Sequence, residues 1–179
     1  MKTTFVTERM RFRPISLDDL DRMVALHNDP EVMRFLTGGT PIARTTIVAQ
    51  IRDGLWGDGY WAAEALADGA WLGWFALHPA AERDPGEREL GYRLRREAWG
   101  RGYATEGARA LVGAGFTDPD VDRIWAQTMA VNAASRRVMA KAGLRFVRVF
   151  HLEWDDPLPG SDKGEVEYAV TRTEWEAMG

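Results

Sequence analysis

The chain has 179 residues, 45% of them hydrophobic, enough to bury the core of one domain spanning 1–179. It has no cysteine, which excludes disulfides, thiolate metal sites and a cysteine acyl-enzyme. A net charge of −4 argues against broad nucleic-acid binding. No apolar run approaches the roughly 20 residues of a membrane span, and Met1–Glu8 has no signal-peptide core, so the expectation is a cytoplasmic protein with neither membrane nor nucleic-acid partners.

Residues 7–15 read as a first strand, with Met10 and Phe12 alternating against Arg9, Arg11 and Arg13. Ser16 and Asp19 have the spacing of a capping box, and Leu20, Met23, Val24, Leu26 and His27 form the inner face of the helix that follows. Asn28-Asp29-Pro30 ends it, and Pro30 opens a short second helix through Leu36. A third helix is expected over 45–55, with Ile47, Val48, Ile51 and Leu55 inside. Residues 60–66 and 71–77 read as strands joined by a hairpin at Asp68-Gly69. His27, His78 and His151 have no metal-ligand spacing, so no metal is expected.

The fourth predicted strand alternates Leu90, Tyr92 and Leu94 against Glu87, Glu89, Gly91 and Arg93. Gly100 and Gly102 follow, and then a helix striped by Ala104, Ala108, Leu111, Val112 and Phe116. Strand, glycine turn and open helix N-terminus make an anion site, although the same stretch also serves as a plain connection. Local charge favours the anion: Arg88, Arg93, Arg95, Arg96, Arg101 and Arg109 face only Glu89, Glu97 and Glu106 over that span. No Lys-Ser/Thr follows the glycines, so a Walker loop is excluded. Thr105 stands where a dinucleotide fingerprint needs its third glycine.

A fifth strand is expected over 123–131. Asn132 then N-caps a helix that Gly143 ends. Strands over 146–154 and 165–171 and a short terminal helix complete an order β-ααα-βββ-α-β-α-ββ, which argues for an α/β class with a mixed sheet flanked by helices.

Trp99-Gly100-Arg101-Gly102-Tyr103-Ala104 resembles the pyrophosphate loop of the GNAT superfamily of acyl-CoA N-acyltransferases, with Trp99 in place of the usual Gln or Arg. The run through Thr105 and Glu106, together with Asp29-Pro30-Glu31-Val32-Met33-Arg34-Phe35, is similar to the branch that includes the ribosomal-protein N-terminal acetyltransferases. The resemblance implies a GNAT fold: a mostly antiparallel twisted sheet of about seven strands, splayed between the fourth and fifth. It implies transfer of an acetyl group from acetyl-CoA to a primary amine by direct attack in a ternary complex. The acceptor is a protein N-terminal α-amine or a small-molecule amine, and a homodimer is common in the family.

By the same resemblance, pantetheine pairs with the backbone of Tyr92, Arg93 and Leu94, and pyrophosphate rests on Gly100, Arg101, Gly102, Tyr103, Ala104 and Thr105. Asn132 hydrogen-bonds the pantetheine arm, and Arg136, Arg137 and Lys141 are candidates for the nucleotide 3′-phosphate, with a solvated helix face the favoured reading for at least two of them. The tyrosine that many members use as general acid is Met139 here, which leaves Ser135 as its substitute, with Tyr168 and Glu153 as weaker options. Glu89 is the base candidate, with Glu87 beside it. Phe35, Leu36, Arg44 and Trp56 are candidates for the acceptor side by location. The competing class is a catalytically degenerate CoA-binding module used for sensing or scaffolding.

Overall fold

The computed structural model describes residues 4–80, 83–153 and 155–178. Its strands are β1 (Phe5–Val6), β2 (Met10–Pro14), β3 (Tyr60–Ala65), β4 (Trp71–His78), β5 (Glu87–Leu94), β6 (Arg123–Met129), β7 (Arg145–Phe150) and β8 (Glu165–Thr171). The helices are α1 (Leu20–His27), α2 (Pro30–Met33), α3 (Arg44–Arg52), α4 (Tyr103–Gly115), α5 (Ala133–Lys141) and α6 (Arg172–Glu176). The strands form one sheet in the order β1-β2-β3-β4-β5-β6-β8-β7. Two compact units are distinguished, one of 1–76 with 92–107 and the other of 77–91 with 108–179.

In the first unit the strand predicted over 7–15 shortens to β2, and β1 forms as an additional strand ahead of it. Thr7 N–H donates to Met10 O at 2.8 Å, closing a turn between β1 and β2 and giving eight strands where about seven were expected. Met10 and Phe12 are buried as their alternation requires. The Ser16 capping box forms, and Arg13 grips the buried Asp19 carboxylate through both oxygens at 2.7 Å. The third helix ends at Arg52, and Leu55 is exposed, contrary to the expected inner face. The β3–β4 register shifts between Ala63 and Glu64, which pair with Gly73 and Trp71, so Leu72 is the extra residue of a bulge. Trp71 and Trp74 therefore enter one core cluster with Met23, Leu26 and Ile47. Gly73, at φ 139°, lets β5 approach: a Cβ there would lie 2.1 Å from Arg93 O.

In the second unit β5 and β6 pair in parallel over Glu87–Arg123, Arg88–Ile124 and Glu89–Trp125. β6 continues to Met129, and among the described residues this ladder extends no further. β6–β8 and β7–β8 are antiparallel. β6 and β7 end at Met129 and Phe150, short of the predicted Val131 and Trp154, and Trp154 lies outside the described residues. β7 is the edge strand, with Phe146, Val147 and Val149 exposed. Gly143 follows the C-cap residue Ala142 of α5, as expected.

Glu167 organises the charged face of this unit. Its carboxylate, only 2% exposed, accepts from Arg123 at 2.6 Å, Arg83 at 2.9 Å and Arg148 at 2.9 Å. Burial alone would push this carboxyl up, but the three guanidinium hydrogen bonds outweigh it and hold it at about 2. A depressed carboxyl stabilises the fold above its unfolded value near 4.5, and that contribution is lost as pH falls toward 2. The shift corresponds to about 3 kcal/mol. Glu167→Ala is expected to cost about 3–5 kcal/mol, because three guanidinium groups lose their common partner. Urea unfolding at pH 7 and pH 3 checks this: the wild-type–variant gap should shrink at the lower pH, and a pH-independent gap would contradict the assignment.

Candidate active site

The glycine turn and the helix that follows are built as the sequence indicates. Trp99 Nε1 donates to Leu94 O at 2.7 Å and ties the turn to the end of β5. Gly100 and Gly102 take φ of 68° and 84°, a region that L side chains rarely adopt. A Cβ on Gly100 would meet nothing within 4 Å, so glycine there serves conformation and openness rather than packing. No described residue accepts from the N–H groups of Tyr103, Ala104 or Thr105, whereas Glu106 N–H reaches Gly102 O at 3.0 Å. Three unpaired N–H groups and the positive end of α4 thus face outward beside Arg101.

Arg9 and Glu106 hold this mouth, and the sequence reading did not single them out. Glu106 Oε1 accepts from Thr7 Oγ1 at 2.6 Å and from Arg9 N–H at 2.9 Å, and Oε2 accepts from Arg9 Nε at 2.7 Å. Arg9 Nη1 donates to Arg101 O at 2.9 Å, and its guanidinium lies 4.8 Å from the Tyr103 ring centroid. Burial would raise the Glu106 carboxyl, but the Thr7 and Arg9 hydrogen bonds bring it below its ordinary value. Nothing local in Arg9-x-Arg11-x-Arg13 marks Arg9 as different from its neighbours.

The two base candidates separate clearly. Glu87 is held by Arg123 at 2.8 Å and Arg83 at 3.7 Å. Glu89, beside Trp125 in the parallel ladder, forms no ion pair with a described residue. Burial raises its carboxyl above the ordinary range, only partly opposed by the charges of His78 and Arg83. Glu153 is exposed beyond the end of β7.

Asn132 caps α5: its side chain accepts from Ser135 N–H at 3.2 Å and donates to Thr128 Oγ1 at 3.0 Å. Met139 is buried in the core. Arg136 is committed to Ala130 O at 2.9 Å and Tyr168 OH at 3.3 Å, so it supports the helix rather than reaching outward. Arg137 and Lys141 are exposed, and the Lys141 carbonyl accepts from Arg109 at 2.7 Å.

Among the acceptor-side candidates, Leu36 is exposed, Phe35 is half-buried, and Arg44 pairs with Asp21. Trp56 enters an aromatic cluster with His27, Tyr60 and Trp74. His27 is a buried packing residue whose Nδ1–H donates to Met23 O at 2.7 Å. Burial and then the charge of Arg93 lower its pKa to about 4, so it is neutral at pH 7.

A glycine turn opening onto bare helix N–H groups is suited to a phosphate-bearing ligand. The chain belongs to the GNAT acetyltransferases: the family described as "Acetyltransferase (GNAT) domain" matches residues 9–145. It is 34% identical over 188 residues to the FsC-acetyl coenzyme A-N(2)-transacetylase of Aspergillus fumigatus, covering 98% of this chain and 79% of that protein. The spermidine N-acetyltransferase of Vibrio cholerae, solved with CoA and spermine, superposes with a TM-score of 0.80 at 12% identity, over 95% of this chain and 99% of that one. The aminoglycoside acetyltransferase AAC(6')-Ib, solved with coenzyme A, gives 0.73 at 20% identity over 94% and 98%. This protein is an acetyl-CoA-dependent N-acetyltransferase with the GNAT fold.

The Glu89 carboxyl is expected to titrate above ordinary glutamate. Side-chain carbon NMR, assigned with Glu89→Gln, measures it. A midpoint at or below the ordinary value would remove the basis for treating Glu89 as a proton acceptor near neutral pH.

Proposed function

We propose that the chain acetylates the primary amine of a small molecule, by direct attack on acetyl-CoA within a ternary complex. The observation that carries this reading is the set of open N–H groups of Tyr103, Ala104 and Thr105 behind Gly100 and Gly102, a cradle for pyrophosphate. The backbone of Tyr92, Arg93 and Leu94 pairs with pantetheine, and an N–H there polarises the thioester carbonyl. Holding both reactants supplies roughly 7–11 kcal/mol. Asn132 orients α5 as its cap and adds a contact to the pantetheine arm. Ser135 relays a proton to the departing thiolate and regains one from water.

Glu89 accepts the proton of the attacking ammonium. For a lysine-like amine of pKa about 10.4, deprotonation near neutral pH costs about 4 kcal/mol, against under about 1 kcal/mol for an α-amine. A glutamate raised by burial is a better acceptor than one pinned by arginines, which favours Glu89 over Glu87. That feature also favours an enzyme over a CoA-binding scaffold, which has no use for an unpaired, half-buried carboxyl. The small-molecule acceptor is supported by the relatives' names, which specify N(2) transacetylation, spermidine and aminoglycosides. None of these three is named for a protein N-terminus, the acceptor of the branch that the loop resembles.

Saturating acetyl-CoA is expected to raise the melting temperature. Gly102→Val should weaken its binding roughly tenfold or more, about 1.4 kcal/mol, in calorimetry on folded protein. Wild-type affinity in that variant would place the phosphates elsewhere.

Glu89→Gln is expected to lower kcat by roughly 10²- to 10⁴-fold with acetyl-CoA affinity nearly intact. The deficit should narrow as pH rises and the acceptor loses its proton unaided. Superimposable pH–rate profiles for wild type and variant would eliminate Glu89.

A further inference from the structure

Resting on the acetyl-transfer reading above, we propose that Arg93 selects acceptor amines that also carry a carboxylate, so that the substrate is of the amino-acid class rather than a polycation. The Arg93 guanidinium carbon lies 5.1 Å from the centroid of the Trp74 ring. Trp56, Tyr60 and His27 enclose Trp74 at centroid distances of 5.1, 5.8 and 6.5 Å. The aromatic faces fix the guanidinium plane and exclude water without neutralising its charge.

No described carboxylate lies within ion-pair distance of Arg93, and its Nε is buried without a hydrogen-bond partner. Burial lowers the guanidinium pKa to about 10, opposed by Tyr60, so the group stays charged at pH 7. Trp74 Nε1 and His27 Nε2 are buried without a hydrogen-bond partner in the same cluster, as is Trp71 Nε1 beside it, whereas Arg95 Nε has Glu97 at 4.0 Å. Buried polar groups in native proteins are satisfied by something, and here most of the unsatisfied atoms are N–H donors. The ligand that answers them is rich in acceptor oxygens, and a carboxylate matches the arginine fork in two parallel bonds.

His27 adds the complementary half. Its Nδ1–H is spent on Met23 O, so Nε2 is a bare acceptor for an N–H of the ligand. A separate cleft of about 360 Å³ in the same unit is lined by Leu26, Trp71 and Arg95 together with Asp29 and Glu97, and Arg93, Trp74 and His27 are not part of its lining. Polyamines and aminoglycosides would bring positive charge toward Arg93, a like charge.

The test pairs two diamines of one carbon skeleton, L-ornithine and putrescine, which differ by a single carboxylate. In the wild type, kcat/KM for ornithine is expected to exceed that for putrescine roughly 100-fold, mostly through KM. Arg93→Met, which keeps an apolar stem on Trp74, should bring the ratio toward one, and Arg93→Lys should recover part of it. Because a ratio is read, general damage from either substitution cancels. Equal or reversed preference in the wild type, or an unchanged ratio in Arg93→Met, overturns the proposal. So does failure of ornithine to bind the CoA-loaded protein in calorimetry more tightly than putrescine. Failure of acetyl-CoA itself to bind would instead remove the transferase reading, so the two failures are distinguishable.

Discussion

A carboxylate in the first turn of a helix ordinarily turns back and takes the free N–H groups for itself. Glu106 stands in the first turn of α4 and does not. Thr7 and Arg9 engage both of its oxygens from the segment ahead of β2, so the acid is spent on that segment and the N–H groups of Tyr103, Ala104 and Thr105 stay bare. The arrangement leaves those N–H groups open while keeping the helix end anchored. Arg9 then closes the circuit by holding the Arg101 carbonyl, fixing the turn whose glycines face outward.

The second unit follows a different electrostatic logic. Its cations are gathered on one buried acid, Glu167, and Glu87 is drawn into the same set through Arg123 and Arg83. That consumption of positive charge leaves Glu89 as the neighbouring acid without an ion pair. Burial raises the Glu89 carboxyl above its ordinary value, and the charges of His78 and Arg83 oppose it only in part.

Features set by near neighbours in the chain were legible from sequence. The Ser16–Asp19 box, the Asn132 cap and the glycine turn depend on spacings of two to four residues, and each forms as read, whereas β5 buries Leu90 and Leu94 but leaves Tyr92 half-buried like Arg93 on the opposite face. What escaped depends on pairing between distant segments. The bulge at Leu72 brings Trp71 and Trp74 into one core cluster, which regular alternation forbids. The Glu167 cluster draws on Arg83, Arg123 and Arg148, far apart in the chain, and nothing about each arginine separately announces the meeting. The expected inner position of Leu55 failed because α3 ends at Arg52, so helical phase no longer applies beyond it. Arg136 has no sequence mark that separates it from Arg137, yet it is bonded to Ala130 O and Tyr168 OH.

Trp99, the residue that departs from the family's loop pattern, has an optical consequence. Its indole N–H is bonded to the last carbonyl of β5 while its ring is 47% exposed, so it is a solvent-facing chromophore fastened at the glycine turn. Trp61, Trp71 and Trp74 of the same unit are buried and emit further to the blue. Among the described tryptophans Trp99 is the exposed one, so any molecule that settles beside Gly100 changes the surroundings of a solvent-facing indole that needs no added label.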